Sequence, residues 1–376
     1  MTHATKLHYI TSMDFPISYA TGVQVLGMCR AFSKINRLDF RIILSSDRNN
    51  MFEDIKTIEN NSFKLSKFKL RSPYNFLWLL IYIINLPKEK NVLYFKDLKL
   101  ATMCILIKKI LHRPDIIIAV ECHLLDDSKY EKKVFNEANN IFCITSHIIR
   151  MAEEKYPDSI PKIHYAPDGV DLKIFSTDFS KNDALNKYNL PIGKFLIGYF
   201  GNFSTVGIKK GVDTAIDAMN FLSSDNHLVL VGGVDKDLNY YKKYVFDNGL
   251  ADKITFLGRL EHEKIPDIMR SMDCLVSPMP YNDFNAYFTS PLKLFEYMAS
   301  GIPMIYSDLP SVRDILDETM TSFCIPGDAR SLAEKVEKIK NDYKKSKDKA
   351  YKASLEVKQK YTWDKRAENI ISILNR

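Results

Sequence analysis

The sequence predicts an α/β protein with two Rossmann-like, doubly wound domains. Three observations carry that prediction. Near the N-terminus, an apolar strand (Lys6 to Ile10), a loop broken by Pro16 and Gly22, a helical stretch (Val23 to Ser33) and a second strand (Phe40 to Leu44) follow in order. That succession starts a parallel sheet. A second opening of the same kind begins at Phe195 to Phe200, continues through Gly201-Asn202-Phe203 and enters a helix at Lys209-Lys210-Gly211-Val212-Asp213. Finally, 376 residues suffice for two domains of ordinary size. The boundary is expected between 175 and 194, giving an N-terminal domain 1–176 and a C-terminal domain 177–360.

Alternation continues through the first half. Tyr74 to Leu86 reads as a helix, Val92 to Phe95 as a strand and Leu98 to Leu111 as a helix. Asp115 to Val120 is rich in β-branched residues and reads as a central buried strand. It runs into Glu121-Cys122-His123. Ligands in such folds bind beyond the carboxyl ends of strands, which places His123 and Glu121 well for function. A structural histidine is the plainer alternative. Gly22, where the first loop enters its helix, would let a ligand approach the backbone. It also suits an ordinary helix entry. Asn140 to Thr145 is a further strand, with Ser146 expected to cap the helix Ile148 to Tyr156. Lys162 to Ala166 closes the domain at Pro167-Asp168-Gly169-Val170-Asp171.

In the second half, His227 to Val231, Ile254 to Leu257 and Asp273 to Pro278 read as strands. Asp235-Lys236-Asp237 is assigned to a polar loop and not to a metal site; no metal ligands are expected. The segment Ser290-Pro291-Leu292-Lys293 then opens a helix whose Leu292, Phe295, Met298 and Ala299 fall on one face, stopped at Gly301. A helix N-terminus offers free N–H groups and partial positive charge to a phosphate. Glu296 follows within the first turns, where a carboxylate could accept from sugar hydroxyls, unless it simply faces solvent. Lys210, directly before a helix-opening glycine, could neutralise a departing diphosphate.

The totals bound the rest. Hydrophobic content of 46% and charge content of 26% suit a protein with buried cores. The six cysteines form no CxxC pair and read as buried free thiols. Met1-Thr2-His3 leads straight into a strand, so no signal peptide is expected. The longest apolar stretch, Phe76 to Leu86, is far short of the about 20 residues that span a bilayer. A cytoplasmic location is expected, free or at the cytoplasmic face of the membrane. Of the net charge of +7, the first 176 residues hold +6. Lys64, Lys67, Lys69, Arg71, Lys88, Lys90, Lys108 and Lys109 are interleaved with Phe63, Phe68, Tyr74, Phe76 and Trp78. Attraction to an anionic membrane or acidic acceptor is one reading and plain solvated faces another. No recognised motif accompanies the charge, which argues against nucleic acid.

SPLKLFEYMASGIPMIYSDLPSVRDIL resembles the donor-site segment of the family-4 retaining glycosyltransferases of the GT-B fold. The resemblance is continuous from about Ile197 to Ile325 and weaker in the N-terminal half. It implies two domains facing across a cleft, a nucleotide sugar bound by the second, and an acceptor (a glycan or lipid-linked species) bound by the first. A UDP-sugar is favoured over a GDP-sugar, with no further cofactor. Glu296 would bind the ribose. Lys210 and the amides around Gly201, Ser290 and Leu292 would hold the diphosphate, with Pro291 and Lys293 among the donor-binding positions. His123, beside Glu121, would orient the sugar, with Gly22 leaving it room, and Arg259 would lie near the base. Tyr361-Thr362-Trp363 resembles the point where the family's last helix, here 361–376, returns to the first domain. Three positions depart from the pattern. Asp168 replaces an Asn. Asn202 stands where many members have Arg, with Lys293 or Lys209 as substitutes. Phe288 stands where the first motif Glu would be. A nucleotide-sugar epimerase and a non-catalytic binding subunit are the alternatives.

Overall fold

The computed structural model describes residues 5–11, 20–44, 63–67, 75–175, 180–205 and 207–376. Pro16, Phe68, Lys69, Arg71, Tyr74 and the side chains of Phe63, Lys64 and Lys67 lie outside that description. The chain divides into two compact units, Met1–Gly169 with Trp363–Arg376, and Val170–Thr362.

The first unit is a parallel sheet of seven strands: β1 (Thr5–Thr11), β2 (Leu38–Leu44), β3 (Phe63–Lys67), β4 (Asn91–Phe95), β5 (Ile116–Cys122), β6 (Asn140–Cys143) and β7 (Ile163–Tyr165). Their spatial order is β3-β2-β1-β4-β5-β6-β7. The order reverses between β1 and β4, and the crevice beyond such a switch is where doubly wound sheets bind ligands. The strands read as apolar runs because both faces are covered; every residue of β4 is buried. Tyr9, Phe32, Phe40, Tyr94 and Phe142 form the aromatic centre, with neighbouring rings 5.4 to 6.4 Å apart. The last helix, Trp363–Leu374, packs on the Ala20–Ser33 helix. Gly27 permits that contact, since a Cβ there would stand 2.5 Å from the Trp363 indole nitrogen.

The second unit has a six-stranded parallel sheet: β8 (Phe195–Phe200), β11 (Asn226–Val231), β12 (Ile254–Gly258), β13 (Cys274–Ser277), β14 (Met304–Ser307) and β15 (Ser322–Cys324). Its order is β12-β11-β8-β13-β14-β15, with the reversal between β8 and β13. A two-stranded antiparallel ribbon, β9 (Ser204–Thr205) and β10 (Ile208–Lys209), follows β8. Val212, Ile216, Leu228, Leu230 and Val336 lie in one buried cluster beneath these strands.

Several expectations are corrected. Thr145, not Ser146, caps the Ser146–Lys155 helix, accepting from the Ile148 amide. Asp235 and Asp237 open the Asp235–Asp247 helix and lie in no polar loop; acids suit that end of a helix. The Leu292–Ser300 helix buries Leu294, Phe295, Tyr297 and Met298, so its inner face is turned from the one expected. β3 is unexpected from the sequence, where it is only part of a basic stretch. All six cysteines are buried free thiols.

Candidate functional site

At the carboxyl ends of β8 and β13 the second unit gathers polar groups around Gly201. Gly211 takes a left-handed conformation at φ 86° just before the Val212–Ala218 helix. A Cβ there would stand 2.1 Å from the Pro278 carbonyl oxygen, so the chain before this helix is pressed against the end of β13. Lys210, one residue earlier, is turned inward and only 9% exposed. Its ammonium donates to the Asn285 Oδ1 at 2.8 Å and lies 5.1 Å from the centre of the Phe284 ring. Asn285 is itself fixed: its backbone N–H donates to the Asn282 side chain and its side-chain amide to the Pro280 carbonyl.

Lys293 approaches from the Leu292–Ser300 helix. Its Nζ lies over the Tyr199 ring, 4.3 Å from the centroid, and 3.2 Å from the phenol oxygen. The same atom is 3.8 Å from where a Cβ on Gly201 would be. Tyr199 in turn donates to the Asn202 and Lys210 carbonyls. The rival Lys209 is exposed and pairs with Asp213 at 2.8 Å. Burial lowers Lys210 from the usual lysine range to about 8. Burial, then the Lys210 charge, lowers Lys293 to about 7, while Glu296 pulls the other way. Among the described residues neither lysine makes an ion pair.

Pro291 is the N-cap of this helix rather than its first residue, and gives no side-chain hydrogen bond to the first turn. Ser290, Pro291 and Leu292 are half-buried there. One turn on, the Glu296 Oε1 is 2.7 Å from the His262 Nε2. His262 begins a short turn after β12. The strand ends converge through glycines: the Gly201 N–H donates to Val231 and the Gly232 N–H to Gly258. Arg259 follows Gly258 and is exposed. Asn202 and Phe288 are half-buried.

The first unit holds the other candidates. Glu121 is buried near the end of β5. Its carboxylate accepts from Arg366 Nη1 at 3.0 Å and Tyr94 OH at 2.7 Å, and lies 3.0 Å from His123 Nε2 and 3.9 Å from Lys96 Nζ. Arg366 also donates to the Pro167 carbonyl at 3.0 Å. Gln24 links Lys96 to Asp168, donating to the Asp168 Oδ1 at 2.5 Å. Burial works against the Glu121 charge, yet Arg366 and Lys96 hold its carboxyl well below the usual range. Burial raises Asp168, with Arg366 opposing. His123 is thus anchored through Nε2, with its side chain 35% exposed. Gly22 is buried in the first turn of the Ala20–Ser33 helix.

Residues 194–342 match the family model of Glycosyl transferases group 1. Lipopolysaccharide core biosynthesis mannosyltransferase LpsB of Rhizobium meliloti is 31% identical over 158 residues, 39% of this chain and 41% of that one. Mannosylfructose-phosphate synthase of Agrobacterium fabrum is 27% identical over 199 residues, 50% of this chain and 41% of that one. The chain therefore spans less than half the length of these curated relatives. Among solved structures, the glycosyltransferase from Rickettsia africae ESF-5 superposes with a TM-score of 0.80 at 15% identity, covering 100% of this chain and 98% of that one. HepE of Anabaena in complex with UDP superposes with a TM-score of 0.77 at 15% identity, covering 99% and 100%. Likeness at that identity speaks for the fold alone, and the fold is GT-B: two Rossmann-like, doubly wound domains.

Sequence reasoning missed Asn285, Tyr199 and His262, the immediate partners of Lys210, Lys293 and Glu296. It also missed Lys96 and Arg366, which face Glu121, and Gln24, which bridges Lys96 to Asp168. None carries a spacing signal; each is brought in by tertiary packing.

Proposed function

We propose that this protein is a retaining glycosyltransferase. It moves a sugar from a nucleoside diphosphate, UDP ahead of GDP, to a glycan or lipid-linked acceptor in the cytoplasm. The observation that carries this reading is the pair Lys210 and Lys293, held among neutral partners beside the N-terminus of the Leu292–Ser300 helix. Breaking the anomeric C–O bond builds charge on the diphosphate, and preorganised N–H groups and ammonium groups are what such a step needs. Lys210 and Lys293 take the diphosphate, with Lys293 in the place left by Asn202. The amides around Gly201, Ser290 and Leu292 complete the grip, and Glu296 accepts from the ribose hydroxyls. Arg259 borders the base. In this reading the site is independent of metal. His123, held by Glu121, orients the transferred sugar, and Gly22 leaves it space. The leaving phosphate takes the acceptor proton on the face it departs from, so no paired carboxylates are required.

The relatives support the setting: one is named for lipopolysaccharide core biosynthesis, and one solved structure is described in complex with UDP. The test is calorimetric titration with UDP together with turnover of UDP- and GDP-sugars. Glu296→Ala should weaken UDP binding by about 10- to 100-fold, as loss of a charged hydrogen bond does. Unaltered affinity removes Glu296 from the ribose site. Donor binding without turnover on any acceptor would favour the non-catalytic subunit.

A further inference from the structure

We propose that the outward face of the Asn75–Ile84 helix, with the Leu98–Ile110 helix packed on it, docks on an anionic lipid bilayer. The Asn75–Ile84 helix has the sequence NFLWLLIYII and carries no charge. It buries Leu79 and Ile83 against the first unit. On the opposite side Leu77, Ile81 and Ile84 are 54%, 50% and 55% exposed. Their spacing of i, i+4 and i+7 sets them in one stripe. A surface helix ordinarily puts charged residues there, and a continuous aliphatic stripe marks a contact surface. Trp78 stacks on Tyr82 with ring centres 5.0 Å apart. Tyr82 turns its hydroxyl inward to the buried His8, 2.6 Å away, so of the pair it is the half-buried Trp78 indole that suits a membrane–water boundary.

The Leu98–Ile110 helix continues the pattern. Leu106 and Ile110 are exposed, as is Lys99, while the exposed Lys109 is paired with Glu137 at 2.6 Å. Its sequence LKLATMCILIKKI contains three lysines and no acid. Lys88 and Lys90 are exposed just after the first helix. The acids nearby are already engaged: Glu89 with Lys6, Glu137 with Lys109 and Lys133, Asp115 with Arg113, and Asp97 as the cap that accepts from the Leu100 amide. What remains is an apolar stripe edged by Lys88 and Lys99, with Lys90 beside them bonded to the Leu374 carbonyl. A second copy of this chain would set lysine against lysine. Acyl chains with anionic headgroups satisfy both parts of the surface. Among the described residues no helix is long and apolar enough to cross a membrane, so the contact is interfacial.

Bilayer docking through this face does not depend on the transfer chemistry, and UDP binding on the same samples keeps the two apart. The experiment is sedimentation with vesicles of phosphatidylcholine plus phosphatidylglycerol, and of phosphatidylcholine alone. The full chain should pellet with the anionic vesicles and be released by salt. The triple variant Leu77→Gln, Ile81→Gln, Ile84→Gln should lower the bound fraction at least about tenfold. Its melting temperature and UDP affinity should stay as in the parent. Failure of the parent to pellet overturns the proposal, as does a variant that pellets equally well. A reversible dimer that the triple variant abolishes, without vesicle binding, would assign the face to a second copy instead.

Discussion

Lys210 and Lys293 in one unit, and Lys96 and Arg366 in the other, are four cations held away from water in opposite ways. The first pair rests on an amide oxygen and a phenol. The second pair faces Glu121 and Asp168 within a closed network. An uncompensated cation in a desolvated place is costly. It persists where an incoming anion supplies the missing charge. A compensated network instead needs nothing from outside, and what it presents is an oriented imidazole on His123. The lesson is that burial alone does not mark a ligand site; burial without a counter-charge does.

The largest effect should come from breaking the closed network. Arg366→Met leaves Glu121 buried with one fewer cation. Loss of one partner from a buried pair costs about 3–5 kcal/mol. Urea denaturation reads the loss, and a shift below about 1 kcal/mol would show that the network is not closed as described. Lys210→Met should behave in the opposite way. Its stability should hold or rise, because a desolvated cation disappears. Its transfer rate should fall about 10- to 100-fold, from losing roughly 1.5–3 kcal/mol of charge-assisted bonding. Equal damage to stability and turnover would erase the contrast between the units.

Much of this architecture was legible because parallel strands buried on both faces declare themselves as apolar runs. Phe195 to Phe200 was read with the bounds it has in the structure. β3 was not, since FKLSK is short and rich in lysine, and only pairing with β2 makes it a strand. Around Gly201, local signals such as a proline-opened helix and a lysine before glycine marked Lys210, Ser290 and Glu296 as candidates. Their partners left no such trace. His262 meets Glu296 from 34 residues away, and Arg366 meets Glu121 from 245 residues away. Such pairs are products of packing, and periodicity carries no record of them. Nothing in the sequence separates Lys209 from Lys293 either, and the pairing of Lys209 with Asp213 is again a matter of packing.

The smallest effect is also the most diagnostic of an uncompensated site. Lys293 is lowered to about 7 and Lys210 to about 8, both first of all by burial. In the free protein this is destabilising. The unfolded chain binds more protons than the native one between those values and the ordinary lysine value, so stability should rise with pH across that window. Binding a diphosphate reverses the preference, since the anion favours both ammonium forms. Donor binding should therefore take up protons above about pH 7, and affinity should fall by up to about tenfold per pH unit for each lysine so coupled. Titrating a UDP-sugar in buffers of different ionisation heat measures that uptake directly. Lys293→Met should remove the part that begins near pH 7 and leave the part near pH 8. The network around Glu121 offers no comparable coupling to a donor, so Arg366→Met should leave the uptake unchanged. Binding without proton uptake between about pH 7 and 9 would mean that the two lysines are not where the diphosphate sits.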